Sequence, residues 1–113
     1  MHKEPKQKWI DALNSGDYEQ GKYYLCSKVG SDTTEWCCLG VLTDLYQQET
    51  NNKLLSFVDN TVGAVVYGDS STHISNEVLE WSGLTIEQAC VCTKLNDGYN
   101  MSFSDIADVI ATW

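Results

Sequence analysis

The chain has 113 residues, a length that suits one domain with its own hydrophobic core and leaves no room for two ordinary domains. It contains 16 acidic residues against 7 basic ones, every basic residue is a lysine, and the formal net charge is −9. This balance excludes proteins that bind nucleic acid or an anionic membrane surface through their own positive charge, and it favours solubility or a partner with a basic surface.

Signals for export, membrane insertion and metal binding are missing from the sequence. No apolar run approaches the roughly 18 residues of a membrane helix, and the N-terminal sequence MHKEPKQKW lacks the apolar core of a signal peptide. The five cysteines are odd in number, which indicates reduced thiols in the cytoplasm rather than a disulfide framework. Because no CxxC pair, phosphate-binding loop or dinucleotide fingerprint occurs, neither a metal site nor a cofactor is predicted.

The N-terminal third predicts a tail, a helix and a strand. Residues 1–4 are expected to form a frayed tail, and the helical spacing of Trp9, Ile10 and Leu13 predicts a helix that ends near Gly16. The segments that follow are predicted as a polar turn over residues 17–21, a short strand over residues 23–29 and a loop over residues 30–34.

A nearly all-round apolar run predicts a central helix. Asp32 and Glu35, three residues apart, resemble the capping box that opens a helix, and the sequence WCCLGVL follows them. Residues 36–46 are therefore expected to be helical and buried on most faces. The residues predicted to be buried are Cys38, Val41, Leu42 and Leu45.

The C-terminal half alternates strand-forming and helix-capping patterns. Residues 54–67 predict a small hairpin or two short strands, because β-branched and aromatic residues there are separated by turn residues. Three helices are expected to follow, opened by Ser75, Thr85 and Ser102 as capping residues. A turn is predicted at residues 96–98.

These elements predict an α+β fold in a single compact domain over residues 1–113. The domain is expected to be mostly helical, with four to five helices and a small two- or three-stranded antiparallel sheet.

A cysteine hydrolase is one hypothesis for the function. Cys38 is placed near the start of a helix, where unpaired N–H groups and the helix dipole lower the pKa of a thiol. The segment WCCLGVLTDLY resembles the helix opening of papain-like cell-wall peptidases, which implies Cys38 as nucleophile, although Cys37 and Leu39 stand where those enzymes carry Asp and Ser. The base would be the internal histidine, His73, oriented by Asp69, Asp59 or Asn76.

A core position for the same cysteines is the preferred interpretation. Apolar residues stand on both sides of Cys38, and no recognisable motif surrounds His73. Small apolar cysteines are commonly buried. Cys38 is therefore expected to be a structural thiol and His73 a surface loop residue.

A group of aromatic and acidic residues in the first third favours a protein-binding surface. Tyrosine is a frequent anchor of protein interfaces, and acidic neighbours suit a basic partner. An aromatic mini-core beneath the strand at residues 23–29 is the alternative, and the sequence does not decide between them. The residues predicted to bind a partner are Tyr18, Glu19, Tyr23, Asp32 and Glu35.

Most of the chain resembles a group of small proteins of phage and bacterial genomes that have no established activity. The matching pattern is W..AL.SG.Y.QG, then YL, CCLGVL, LND and SF..IA, and it extends from Trp9 to Ala107. CCLGVL is its most specific part, whereas residues 50–75 match nothing in the pattern. The resemblance implies a phage origin, and with it a host-takeover or anti-defence factor that acts by binding a host protein.

The expectation for function is therefore a non-enzymatic, acidic, cytoplasmic accessory protein that binds and modulates or inhibits a host protein with a basic surface. It is expected to bind neither nucleic acid nor a membrane. The alternative is the small papain-like cysteine hydrolase that uses Cys38 and His73.

Overall fold

The structure, a computed structural model, describes residues 1–30 and 32–113. Ser31, in the loop predicted over residues 30–34, lies outside the described residues. Within them the chain forms five α-helices, one π-helical turn and five strands. The helices are α1 (Lys3–Ser15), α2 (Cys38–Thr50), α3 (Asn76–Ser82), α4 (Ile86–Thr93) and α5 (Phe103–Ile110), and the π-helical turn is Lys94–Gly98. The strands are β1 (Glu19–Gln20), β2 (Cys26–Val29), β3 (Thr33–Trp36), β4 (Ser56–Asp59) and β5 (Ala64–Tyr67).

The strands form one mixed sheet in the order β1-β3-β2-β5-β4. Strand β1 is parallel to β3, with Glu19 opposite Glu35, and the other pairs are antiparallel. The α+β class therefore holds, but the prediction of a small two- or three-stranded antiparallel sheet is wrong. The missed strands are short and polar, and β1 lies in the segment at residues 17–21 that was expected to be a turn. Pairing with neighbouring strands, rather than the local sequence pattern, makes these residues strands.

The capping box predicted from Asp32 and Glu35 is also wrong. Thr33–Trp36 is strand β3, which pairs along its length with β2, and helix α2 begins at Cys38 with Cys37 as its N-cap residue. The backbone groups of this polar segment are satisfied by the sheet instead of by a helix.

The predicted burial of the central helix is confirmed. Cys38, Val41 and Leu42 are completely buried, and Leu45 is nearly so. Helix α2 packs against α1, α3, α4 and strand β3, so it is surrounded by other elements. This surrounding explains why its sequence is apolar on almost every side.

Close backbone approach sets the position of the first turn of α2. A Cβ atom at Gly40 would lie 1.7 Å from the carbonyl oxygen of Leu25, and the Cys37 N–H donates to that same oxygen at 3.3 Å. On another side, the Trp9 indole Nε1 donates to the carbonyl of Cys38 at 2.9 Å. Three segments therefore meet at the first turn of α2: helix α1, helix α2 and the residues just before β2. Only a glycine at position 40 leaves room for this contact.

Three of the predicted helix starts are confirmed by their hydrogen bonds. The side chain of Ser75 accepts from the Val78 N–H, and the side chain of Ser102 accepts from the N–H of Asp105. Thr85 and Gln88 form both hydrogen bonds of a capping box.

Two local predictions differ from the structure. Helix α1 begins at Lys3, inside the segment at residues 1–4 that was expected to be a frayed tail. The backbone N–H of His2 donates to the carbonyl of Ser82 at 2.8 Å, so a tertiary contact orders this end of the chain. The turn predicted at residues 96–98 belongs instead to the π-helical turn that continues α4.

Candidate functional site

Cys38, the proposed nucleophile, has no solvent exposure. Its thiol donates a hydrogen bond to the carbonyl of Cys92, with Sγ 3.6 Å from the oxygen. A hydrogen bond with Cys92, together with burial, raises the pKa of the Cys38 thiol well above its ordinary value. The stabilisation that a helix N-terminus gives a thiolate is therefore outweighed, and Cys38 is a protonated core thiol.

Cys37 has the same character. It is buried as the N-cap residue of α2 and makes no side-chain capping hydrogen bond. Burial raises the pKa of its thiol to about 12. Neither cysteine of the CCLGVL segment therefore supplies a thiolate near neutral pH.

The proposed base and its orienting residue lie in the exposed loop between β5 and α3. The ring Nδ1 of His73 is 2.8 Å from the Thr72 hydroxyl, and the His73 backbone N–H donates to the Ser70 hydroxyl at 2.9 Å. Asp69 is exposed. Within residues 1–30 and 32–113 no hydrogen bond joins Cys38, His73 and Asp69, so the described part of the chain shows no assembled triad.

The acidic residues predicted to bind a partner lie on or beside strands β1 and β3. Glu19 and Glu35 are neighbours on the parallel strands β1 and β3, and the Cβ of Glu35 covers the position that a side chain at Gly21 would occupy. Asp32 is exposed just before β3. These carboxylates give the β1–β3 edge of the sheet a negative surface.

Tyr18 belongs to the packing of the domain. Its hydroxyl donates to Oδ2 of Asp44 at 2.5 Å, and its ring meets the edge of Trp36 with centroids 5.4 Å apart. Burial and the hydrogen bond to Asp44 raise the pKa of Tyr18. Of the two interpretations of the aromatic residues, the packed one therefore describes Tyr18.

Tyr23 has the opposite character. Its side chain is 62% exposed, and its backbone has φ = 72°, the left-handed region that side-chain-bearing residues rarely adopt. The Tyr23 N–H donates to Oδ1 of Asp97 at 3.0 Å. A hydrogen bond to the half-buried Asp97 therefore holds an exposed aromatic residue in a strained conformation.

A buried amide network supports that strained segment, and it was missed by the sequence analysis. Asn96 donates through Nδ2 to the carbonyl of Gly21 at 2.9 Å and to Oδ1 of Asp97 at 2.8 Å. Gln20 donates through Nε2 to Oδ1 of Asn96 at 2.9 Å. The sequence pattern contains both QG, at residues 20–21, and LND, at residues 95–97. Nothing in the sequence indicated that these two segments contact each other.

A surface groove of about 610 Å³ lies next to Tyr23. It is bounded by the loop before α3, by α3 itself and by α4 with the π-helical turn. Its apolar lining includes Leu39, Ile74, Leu79, Ile86 and Ala89, and its polar lining includes His73, Cys90, Lys94 and Asp97. Of the five cysteines, all within the described residues, Cys90 is the exposed one, whereas Cys38 does not line the groove.

A family model described as a domain of unknown function (DUF8296) matches residues 1–113 of the chain. The chain belongs to this family. The kinship with an uncharacterised family that the sequence pattern implied is thereby confirmed, whereas the phage origin stays a prediction. No curated protein and no solved structure matches this DUF8296 chain.

The described residues also limit what the site contains. Over residues 1–30 and 32–113, no three His, Cys, Asp or Glu side chains are grouped as metal ligands would be. Of the helices that the structure describes, none is both long and apolar enough to cross a bilayer. Exposed aromatic, apolar and polar side chains meet in the groove beside Tyr23, and we take it as the candidate site.

Proposed function

We propose that this DUF8296 member is a non-enzymatic accessory protein of phage type that binds a host protein with a basic surface and thereby modulates or inhibits it. The observation that carries the proposal is Tyr23. An exposed aromatic ring gains little from burial, and a left-handed backbone costs of order 1–3 kcal/mol at a residue other than glycine. The strain opposes folding stability and the exposed ring adds little to it, and strained residues cluster at functional sites such as ligand-binding surfaces.

The groove beside Tyr23 supplies the second element of a binding surface. Ile86, also in its lining, is 68% exposed. A concave apolar surface of this volume accommodates one or two apolar side chains of a partner, with Tyr23 and Ile86 contacting the partner around them. Lys94 and Asp97 offer polar groups that orient the bound segment.

The negative charge of the chain favours a partner with a basic surface. The net charge of −9 attracts a basic surface at long range, and the Glu19–Glu35 pair adds local negative potential at the sheet edge. The same charge repels nucleic acid, so the proposed partner is a protein.

No observation favours the cysteine hydrolase. The Cys38 thiol is buried and its pKa is raised, and the accessible thiol, Cys90, lies within helix α4 rather than at its N-terminus. A nucleophilic cysteine requires an accessible thiolate. The binding proposal therefore stands without a second candidate.

The proposal is tested with Tyr23→Gly, because glycine accepts the left-handed backbone while removing the ring. The wild-type protein is used to capture partners from a bacterial lysate, and the captured proteins are quantified by mass spectrometry. We expect a basic protein whose capture falls about tenfold with Tyr23→Gly, a change of about 1.4 kcal/mol. Because glycine relieves the backbone strain but loses more conformational freedom on folding, the free energy of unfolding of the variant should fall by no more than about 1 kcal/mol.

The matched control is Tyr99→Gly, which removes a ring that is 72% exposed and lies outside the groove. Capture is expected to survive this change. Equal capture by the wild type and by Tyr23→Gly would contradict the proposed surface. Rapid alkylation of Cys38 in the folded protein, slowed by His73→Ala, would instead establish the hydrolase.

A further inference from the structure

Strand β4 forms an outer edge of the sheet and exposes apolar side chains there. Leu55, immediately before the strand, is 84% exposed, and Phe57 is 60% exposed. In the part of the chain that the structure describes, β4 pairs with β5 alone. An exposed apolar edge strand is a surface on which another strand can be added.

The backbone of β4 shows which groups are directed outward. The Leu55 carbonyl accepts from the Gly68 N–H at 2.6 Å, and the Asp59 carbonyl accepts from the Gly63 N–H at 2.8 Å. Residues 55, 57 and 59 therefore direct their backbone groups toward β5. Because these groups alternate along an antiparallel strand, the N–H and C=O of Ser56 and Val58 point away from β5.

The sequence around this edge is self-complementary. Residues 53–59 read KLLSFVD, with Lys53 at one end, Asp59 at the other and Ser56 at the centre. An antiparallel second copy centred on Ser56 brings Lys53 opposite Asp59 and Leu55 opposite Phe57. Cross-strand ion pairs and apolar pairs are the contacts that stabilise an antiparallel sheet.

We propose that two copies of this chain associate through β4 in that register, forming one continuous sheet across the dimer. Ser56 of each copy then exchanges both hydrogen bonds with Ser56 of the other, as the outward direction of its backbone requires. The pairs of Leu55 with Phe57 and of Lys53 with Asp59 fall at non-hydrogen-bonded positions, where side chains lie closest together. A register centred on Phe57 would set Asp59 against Leu55 and lose both ion pairs.

The dimer is expected to be reversible. The Leu54 N–H already donates to Oε1 of Gln47 at 2.9 Å and is not available to a second copy. The hydrogen bonds between the two copies are therefore those between the Ser56 residues and those from each Val58 N–H to the Leu54 carbonyl of the other copy. Two short strands form a small interface, and the net charge of each copy opposes association. The dimer is therefore expected to be weak, and its population should depend on protein concentration.

The test is sedimentation equilibrium over a range of protein concentrations, with Lys53→Glu, with Asp59→Lys, and with an equimolar mixture of the two variants. The wild type is expected to approach twice the mass of one chain as concentration rises. Each variant alone sets like charges opposite each other at both ends of the interface, so its dissociation constant should rise about tenfold or more. The mixture restores opposite charges at both ends, and it should recover the affinity of the wild type.

The control for overall charge is Lys3→Glu, an exposed lysine on α1, which should raise the dissociation constant far less than Lys53→Glu does. Asp59 also accepts from the Thr61 N–H in the hairpin turn, so a second variant avoids that position. Ser56→Pro removes the outward N–H while leaving the β5 pairing intact, and it should abolish dimers. A wild type that stays monomeric at millimolar concentration, or dimers that survive Ser56→Pro, would overturn the proposal.

Discussion

The centre of the molecule and the β4 edge of the sheet place their side chains in opposite environments. In the centre, residues of the sequence pattern that extends from Trp9 to Ala107 contact one another. Gly40 lies against the Leu25 carbonyl, and Gln20 donates a hydrogen bond to Asn96. At the β4 edge, which lies within the segment that the pattern does not cover, Leu55 and Phe57 leave most of their surface in solvent.

This difference separates residues that specify the fold from residues available for interaction. The CCLGVL and LND segments, which suggested chemistry in the sequence, are explained by packing and by buried hydrogen bonds. The exposed positions at Tyr23 and along β4 oppose folding stability, because strain and exposed apolar surface are both unfavourable. The function of this protein is therefore best sought at these exposed positions rather than at the pattern.

The largest expected effect comes from Gly40→Ala. Its Cβ would lie 1.7 Å from the Leu25 carbonyl oxygen, so either strand or helix must move, and we expect the free energy of unfolding to fall by about 4 kcal/mol or more. The control is Gly98→Ala, where no atom lies within 4 Å of the added Cβ; it should stay within about 0.5 kcal/mol of the wild type. Urea titration measures both, and a neutral Gly40→Ala would refute the close approach.

Replacing one leucine with alanine in each region compares their contributions to folding stability. Leu42→Ala removes a completely buried side chain from α2, and we expect a loss of about 2–5 kcal/mol. Leu55→Ala, at the exposed start of β4, should change stability by no more than about 0.5 kcal/mol. If the two variants unfold at similar urea concentrations, the β4 edge is as much part of the core as the central helix.

The smallest effect concerns pH. The pKa of Cys37 is raised to about 12 and that of Cys38 is also raised, so both thiols hold their protons more tightly in the folded chain than in the unfolded one. Their contribution to stability is complete below the unfolded thiol pKa near 9 and declines as pH rises above it. Between pH 8 and pH 10 the Cys37 thiol should remove about 1–2 kcal/mol from the free energy of unfolding, and Cys38 should lower it in the same direction.

Unfolding by urea at the two pH values checks this decline. Cys37→Ala should make it shallower, whereas Cys90→Ala, at the exposed thiol, should leave it unchanged. An identical pH dependence in all three proteins would show that the Cys37 thiol is not buried. Burial also raises the pKa of Tyr67 in β5, so the difference between wild type and Cys37→Ala isolates the share of the Cys37 thiol.

Sequence alone was sufficient where local interactions decide the structure. Ser75, Thr85 and Ser102 open helices because a capping side chain bonds to an N–H only three residues away. The burial of α2 followed from its apolar run, and the β4–β5 hairpin followed from strand residues separated by a turn. Even the preference for Cys38 as a core residue rested on its immediate apolar neighbours.

Only the tertiary structure decided the composition of the sheet and the role of each candidate site residue. Thr33–Trp36 is polar, and its capping pattern indicated a helix, yet pairing with β2 and β1 makes it a strand. Tyr18 and Tyr23 look equivalent in the sequence, but Asp44 and Trp36 bury one of them, while Asp97 holds the other exposed. The environments of the two tyrosines depend on partners 18 to 74 residues away along the chain. Strand pairing and burial are set by such tertiary contacts, which the local pattern does not encode.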